Sequence, residues 1–294
     1  MPEAQTKASS SPQEARPVLK WAGGKSRLLP DILELLPASI DTYYEPFVGG
    51  AAVFFALANR KRFKKAVLTD RNPELVNVYK ALKRDVDGVI RSLKAHVKRG
   101  HSEKAYYEIR GLDPADLTNS ERAARLIYLN KTGYNGLYRV NRKGLFNVPF
   151  GRYKQPNICD EARLRAASSA LKGVSLLERD FETACKKATK GDAVYFDPPY
   201  LPVSRTSNFT AYHDNGFGKE EHERLARVFA ELAARNVTAV LSNSYTPFAQ
   251  QLYKGFVCRE VRVSRPINSK TQGRGEVAEL LAVNLRASRR ARAR

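Results

Sequence analysis

The chain predicts an α/β fold, an open and mostly parallel sheet carrying an inserted helical and hairpin segment, on three observations. Short apolar runs of strand length, among them Lys65 to Thr69 and Ala193 to Phe196, alternate with helical patterns. Two strand-like runs end in sharp turns, Gly49-Gly50 and Asp197-Pro198-Pro199-Tyr200, at the sheet edge where open α/β folds gather ligands. The stretch between Glu121 and Asp160 contains no acid and differs in kind from what flanks it.

With 294 residues and 43% hydrophobic content, the chain can bury one large core or a domain with a sizeable insertion. A net charge of +21 and a pI of about 10.0 point to a polyanionic partner, nucleic acid before any other. A solvated basic surface or a ribosome-associated protein is the bland alternative. Cys159, Cys185 and Cys258 are widely spaced without nearby histidines, so free thiols in a reducing cytoplasm and no metal site are expected. No run approaches a membrane span, and the first residues lack a signal-peptide core.

Taken in order, residues 1–16 are rich in Ser, Ala, Gln and Glu and predict a disordered tail. Lys20-Trp21-Ala22-Gly23-Gly24-Lys25-Ser26 predicts a loop presenting Trp21 and Lys25 to a ligand, followed by a helix through Leu28, Leu29, Ile32 and Leu33. Leu19 stands where a phosphate-binding loop needs its first glycine, which argues against an NTPase. Tyr43 to Gly50 predicts a strand turning through glycines into a helix, and the next strand ends at Asp70. An acid there is placed for ribose hydroxyls, or to cap the helix beginning near Pro73.

Helical patterns fill Pro73 to Arg110 and Ser120 to Lys131. In the acid-free stretch, Arg122, Arg125, Lys131, Arg139, Arg142, Lys143, Arg152 and Lys154 interleave with Tyr134, Tyr138, Phe146, Phe150 and Tyr153. Leu137 to Val148 predicts a β-hairpin turning at Asn141-Arg142-Lys143-Gly144. Such a surface suits phosphates and base edges. Beyond a helix at Glu161 to Leu171 the sheet resumes at Val174 to Leu177 and leads through Asp180-Phe181 to the strand before Asp197. Leu201 to Gly218 has the composition of a lid, Lys219 to Arg235 is helical, and three further strands precede a basic tail, residues 287–294.

Asp197 and the Pro198 carbonyl are two acceptors facing one small volume, with the ring of Tyr200 beside them. That combination suits a planar base bearing an exocyclic amine, adenine or cytosine. The null alternative is a plain strand-to-loop turn.

Together Lys20 to Lys25, Glu45-Pro46-Phe47-Val48-Gly49-Gly50, the block Tyr134-Asn135-Gly136-Leu137 through Phe146 to Tyr153, and Asp197 to Tyr200 resemble the Dam family of DNA adenine N6-methyltransferases. The resemblance covers about Leu19 to Leu285, and the motif order is similar to the alpha group of amino-methyltransferases. It implies a Rossmann-like methyltransferase sheet dependent on S-adenosylmethionine (SAM), with a catalytic domain in residues 17–72 and 165–286 and a DNA-recognition domain in 73–164. It implies SAM contacts at Trp21, Lys25, Asp70, Asp180, Phe181 and Asp197, and catalysis at Asp197, Pro198 and Tyr200. DNA contacts fall to Lys20, Tyr134, Asn135, Leu137, Arg139, Arg142 and Pro149, with Arg139 reading a guanine and Tyr134 wedging into the duplex. The implied substrate is double-stranded DNA with a GATC-type target, flipped adenine and no metal, the enzyme being a cytoplasmic monomer off DNA. Ala51 stands where the family turn usually carries glycine, and is expected to tighten the cofactor's fit. Cytosine-N4 methylation, RNA adenine methylation and an inactive DNA-binding protein are the alternatives.

Overall fold

The computed structural model describes residues 13–200, 217–264 and 276–286. The expected lid, Leu201 to Gly218, and the tail at 287–294 therefore fall almost wholly outside the described residues.

Strands β1 (Ile40–Glu45), β2 (Phe63–Asp70), β3 (Ser175–Glu178), β4 (Ala193–Phe196), β5 (Thr238–Ser244), β6 (Phe256–Ser264) and β7 (Glu276–Arg286) form one sheet in the order β3-β2-β1-β4-β5-β7-β6. The first five run parallel, whereas β7 lies antiparallel to both β5 and β6. This is the expected Rossmann-like methyltransferase sheet. The chain order reverses between β1 and β4, so a crevice opens beyond their carboxyl ends. Every residue of β4 is buried, which is why it reads as an unbroken apolar run.

Helix α1 (Leu29–Leu35) follows the glycine-lysine loop, and α2 (Ala52–Asn59) follows the glycine turn after β1. Between β2 and β3 come α3 (Pro73–Arg84), α4 (Val86–Lys98), α5 (Glu103–Gly111), α6 (Asn119–Thr132) and α7 (Glu161–Ala170). Their starts are written in the sequence: Asn72, Asp85, Ser102 and Asp160 each cap an amide, and Thr118 with Glu121 forms a capping box. One apolar cluster runs from the sheet through α3, α4 and α6, so the inserted helices share a core with the sheet. Beyond β3 lie α8 (Phe181–Cys185), α9 (Lys219–Ala234) and α10 (Pro247–Tyr253).

Two expectations are corrected here. Order starts before residue 17: Ala15 is buried, its N–H donating to Asn59 Oδ1 (3.0 Å) and its carbonyl accepting from Asn59 Nδ2 (2.9 Å). The Leu137 to Val148 hairpin turns where expected, with Gly144 N–H bonded to Asn141 O (2.9 Å), but it has no continuous ladder. Its arms meet at the isolated bridge Val140 to Phe146, with Asn147 N–H bonded to Arg139 O (2.9 Å) and Asn141 N–H to Leu145 O (2.8 Å) on either side. Asn135 (φ 53°) and Gly136 (φ 63°), just ahead of the first arm, sit in the left-handed region, which keeps the pairing from running unbroken to the outer bridge Gly133 to Phe150.

Candidate active site

The strand ends bring the motifs together. Asp197, the first residue past β4, accepts at Oδ1 from Lys25 Nζ (2.8 Å) and from Ser242 Oγ (3.0 Å), the latter on neighbouring β5. Ser242 in turn bonds the buried Tyr195 hydroxyl at 2.8 Å. Lys25 is only 5% exposed; it also donates to the Gly23 carbonyl and lies 4.7 Å from the centre of the Tyr200 ring. Burial raises the Asp197 carboxyl above its ordinary range, and the Lys25 ammonium pulls it back toward the ionised form. Pro198 is buried behind it. Tyr200 donates its hydroxyl to Glu279 Oε2 at 2.6 Å, and Glu279 stands on β7 opposite Ser244, so the ring's tilt is set from the far side of β5.

The glycine turn makes the second wall. A Cβ on Gly49 (φ +44°) would lie 2.8 Å from Trp21 Cδ1, and one on Gly50 3.3 Å from Trp21 Cβ, so the indole rests on bare backbone. Asp70, at the end of β2, accepts from Gly49 N–H (3.3 Å) and Asn72 N–H (3.0 Å); burial pushes its carboxyl up to about 6. The cap of α3 is Asn72, so Asp70 does not cap that helix. Ala51 follows this wall and is 1% exposed. It caps α2 in the left-handed region (φ 57°, ψ 31°), a conformation that costs a side-chain-bearing residue about 1 kcal/mol and that glycine adopts freely.

Glu45, just ahead of the turn, was quoted only as part of a motif, yet it is 3% exposed and accepts at Oε2 from Tyr43 OH (2.9 Å) and Phe54 N–H (3.0 Å). Burial above all, with the Asp197 charge adding to it, raises its carboxyl to about 8 against the pull of the Tyr43 hydrogen bond. An acid with a folded pKa above its unfolded one loses stability as pH rises from about 4.5 to about 8. Glu45→Gln keeps the acceptor without the charge. Its melting temperature is therefore expected to rise relative to the wild type's between pH 5 and pH 8.5, and a gap that stays constant with pH would contradict the burial argument.

Asp180 and Phe181 stand beyond β3. Asp180 caps Glu182 N–H (3.0 Å) through Oδ1 and pairs through Oδ2 with both Arg71 and Arg224. Against the upward push of its partial burial, Arg224, the Glu182 amide and Arg71 hold it below the ordinary range. Phe181 begins α8, and its ring is buried, stacked on Phe47 (centroids 5.6 Å apart) with the Arg224 guanidinium 4.2 Å away.

The acid-free stretch divides into two kinds of residue. Arg125 is buried and donates to the carbonyls of Ile109 and Arg110, while Arg122 pairs with Glu74; both serve the helices. Tyr138 stacks on Trp21 (5.6 Å, 28°), Phe146 is buried, and Phe150 packs on Tyr106. Outward are Tyr134 (48% exposed), Asn135, Leu137, Leu145 and Pro149, with the basic residues Arg139, Arg142, Lys143, Arg152 and Lys154. Lys20 lies 4.5 Å above the Tyr153 ring, beside a recess of about 370 Å³ shared with Lys131 and Lys154. Burial, then Arg163 and Lys20, push Lys131 down to about 8.

Asn130, on α6 and 1% exposed, ties the loop that carries Trp21 to the root of the hairpin. Its Oδ1 accepts from Lys20 N–H (2.7 Å), and its Nδ2 donates to Lys20 O (2.7 Å) and Gly136 O (2.8 Å). Asn130, Ser242 and Glu279 all escaped the sequence reading. Their partners lie 110, 45 and 79 positions away for Lys20, Asp197 and Tyr200, and no local spacing signals that.

An acidic turn at the switch point, a glycine wall beneath an indole and a basic outward hairpin share one chain with a family match. The model of the D12 class N6 adenine-specific DNA methyltransferases matches residues 21–267. The chain belongs to that class. It is similar to a type II methyltransferase of Lactococcus lactis subsp. cremoris, 42% identical over 275 residues, covering 92% of this chain and 95% of the relative. A type II methyltransferase of Methanocaldococcus jannaschii is also 42% identical, over 287 residues that cover 92% and 99%. The DNA adenine methylase of Escherichia coli is 36% identical over 269 residues, covering 91% and 95%. As a class member, the chain is an adenine-specific DNA methyltransferase, and the cytosine-N4 and RNA alternatives fall away.

Among the described residues no helix is long and apolar enough to cross a membrane, and no three His, Cys, Asp or Glu side chains are grouped as a metal would need.

Proposed function

We propose that this methyltransferase acts on N6 of an adenine flipped out of duplex DNA, in a GATC-type site, with SAM as donor. The observation that carries the reading is the Asp197 carboxylate, held by Lys25 and Ser242 through Oδ1 at the switch point. Oδ2 and the Pro198 carbonyl then serve as acceptors for the two amine hydrogens, and the Tyr200 ring stacks on the base. The adenine amine is a poor nucleophile because its lone pair is delocalised into the ring. Acceptors on both hydrogens favour a pyramidal nitrogen and stabilise the positive charge developing there. Lys25 serves by pulling Asp197 toward the ionised form against its burial.

SAM supplies a methyl group already activated by its sulfonium, so the protein's task is alignment. The fit of such a donor is supported by the bare backbone of Gly49 and Gly50 under Trp21 and by Asp70 at the next strand end, facing ribose hydroxyls. Asp180 and Phe181 flank the adenine end of the donor. Flipping the target base costs a few kcal/mol, which contacts from Tyr134, Leu137, Pro149, Asn135 and the basic residues Lys20 and Arg142 offset.

Arg139 reads guanine through two parallel hydrogen bonds to O6 and N7. Methylation of duplexes with a labelled donor, followed by mapping of the modified base, tests the whole reading. Adenine N6 in GATC is the expected product. Arg139→Ala is expected to cost roughly 1–3 kcal/mol at one guanine position, whereas loss of a phosphate contact such as Arg142 slows all duplexes alike. Modification spread over unrelated adenines would refute the target assignment.

A further inference from the structure

A guanidinium has two usable edges. Nε–H with one Nη2–H forms the side edge, and Nη1–H with the other Nη2–H forms the outer edge. In this protein the side edge of Arg139 is filled: Nε donates to Asn147 Oδ1 at 2.7 Å, and Nη2 to the Asn147 carbonyl at 3.0 Å. The outer edge stays free for the two parallel bonds that a guanine accepts.

Asn147 is itself firmly placed. Its N–H donates to the Arg139 carbonyl (2.9 Å), and it sits between the buried side chains of Phe146 and Val148. The Val148 carbonyl accepts from the Tyr106 hydroxyl (2.8 Å) and Arg110 Nη1 (3.2 Å) on α5. A line of contacts thus runs from the inserted helices through Asn147 to an exposed arginine that would otherwise sample many rotamers.

We infer that Asn147 is a positioning residue that holds the Arg139 guanidinium with its outer edge presented to guanine, so that target discrimination depends on a side chain touching no base. The inference rests on the reading of Arg139 as the guanine contact. The rival role for Asn147 is direct donation from Nδ2 to a DNA phosphate, which would carry no sequence information.

The test measures kcat/KM for wild type, Arg139→Ala, Asn147→Ala, Asn147→Asp and the double alanine variant on a GATC duplex and on duplexes altered at the guanine. Melting temperatures are recorded alongside. Arg139→Ala is expected to lower the discrimination ratio by about 5- to 150-fold, the span of a bidentate base contact. Asn147→Ala should lower the same ratio by about 10-fold, and should add little in the Arg139→Ala background because the two act as one unit. Asn147→Asp retains the acceptor and should keep the ratio near that of the wild type.

An Asn147→Ala enzyme slowed equally on every duplex overturns the inference, as does an Asn147→Asp enzyme slower than Asn147→Ala on all of them, the mark of a phosphate contact. If Arg139→Ala leaves the ratio unchanged, the guanine reading fails and this inference with it. If Arg139→Ala changes the ratio and Asn147→Ala does not, only the inference fails.

Discussion

Asp197→Asn is expected to lower kcat at least ~100-fold, the scale of losing one preorganised electrostatic contact to a charge that develops in the transition state. The substitution keeps the size of the side chain and an oxygen that Ser242 and Lys25 can still reach. What it removes is the negative charge beside the reacting amine. Asp197→Ala is expected to do more harm of a different kind, because Lys25 is 5% exposed and would be left without its counter-charge. Breaking a buried pair from one side typically costs about 3–5 kcal/mol, and a figure toward the lower end fits here because Asp197 keeps 22% of its side-chain surface. Comparing urea denaturation of the two variants separates the effects. Near-normal turnover in Asp197→Asn would end the catalytic assignment.

Asn130→Leu is expected to destabilise the protein by about 3 kcal/mol. It strands the N–H and carbonyl of Lys20 and the carbonyl of Gly136, each costing about 1–3 kcal/mol where water cannot reach it. The Lys20 groups are only partly buried, so the sum falls short of three full penalties. Donor binding should weaken together with target discrimination, since the indole loop and the hairpin lose the same anchor. A variant as stable as the wild type, with both properties intact, would show that Asn130 merely fills space.

Much of the fold was legible because local rules and tertiary demands agree in it. The buried Ala193 to Phe196 run, the caps Asn72 and Thr118 and the glycine turn each announce themselves within a few residues. The acid-free stretch was legible only in part. Charge and ring type cannot tell Arg139, which faces outward, from Arg125, which satisfies two helix-end carbonyls from inside. The hairpin misled as a ladder because alternation predicts strands, while its arms pair only beside the turn and the left-handed pair Asn135-Gly136 ahead of them keeps the pairing from extending. Ser242, Glu279 and Asn130 were invisible for a further reason: an ordinary Ser, Glu or Asn gains its role only when a distant segment is laid beside it.

The single asparagine between Lys20 and Gly136 makes two parts of the molecule answer to one another. A duplex that displaces the hairpin is therefore expected to pull on the backbone next to Trp21, and a ligand on the glycine wall to stiffen the hairpin in return. Changes near this joint are expected to alter what is read and how fast it is modified at the same time. Positions beside the turn, Arg139 and Asn147 among them, are expected to vary with less effect on the chemistry. New target preferences in such a chain are thus most readily acquired at the tip of the hairpin, far from its root.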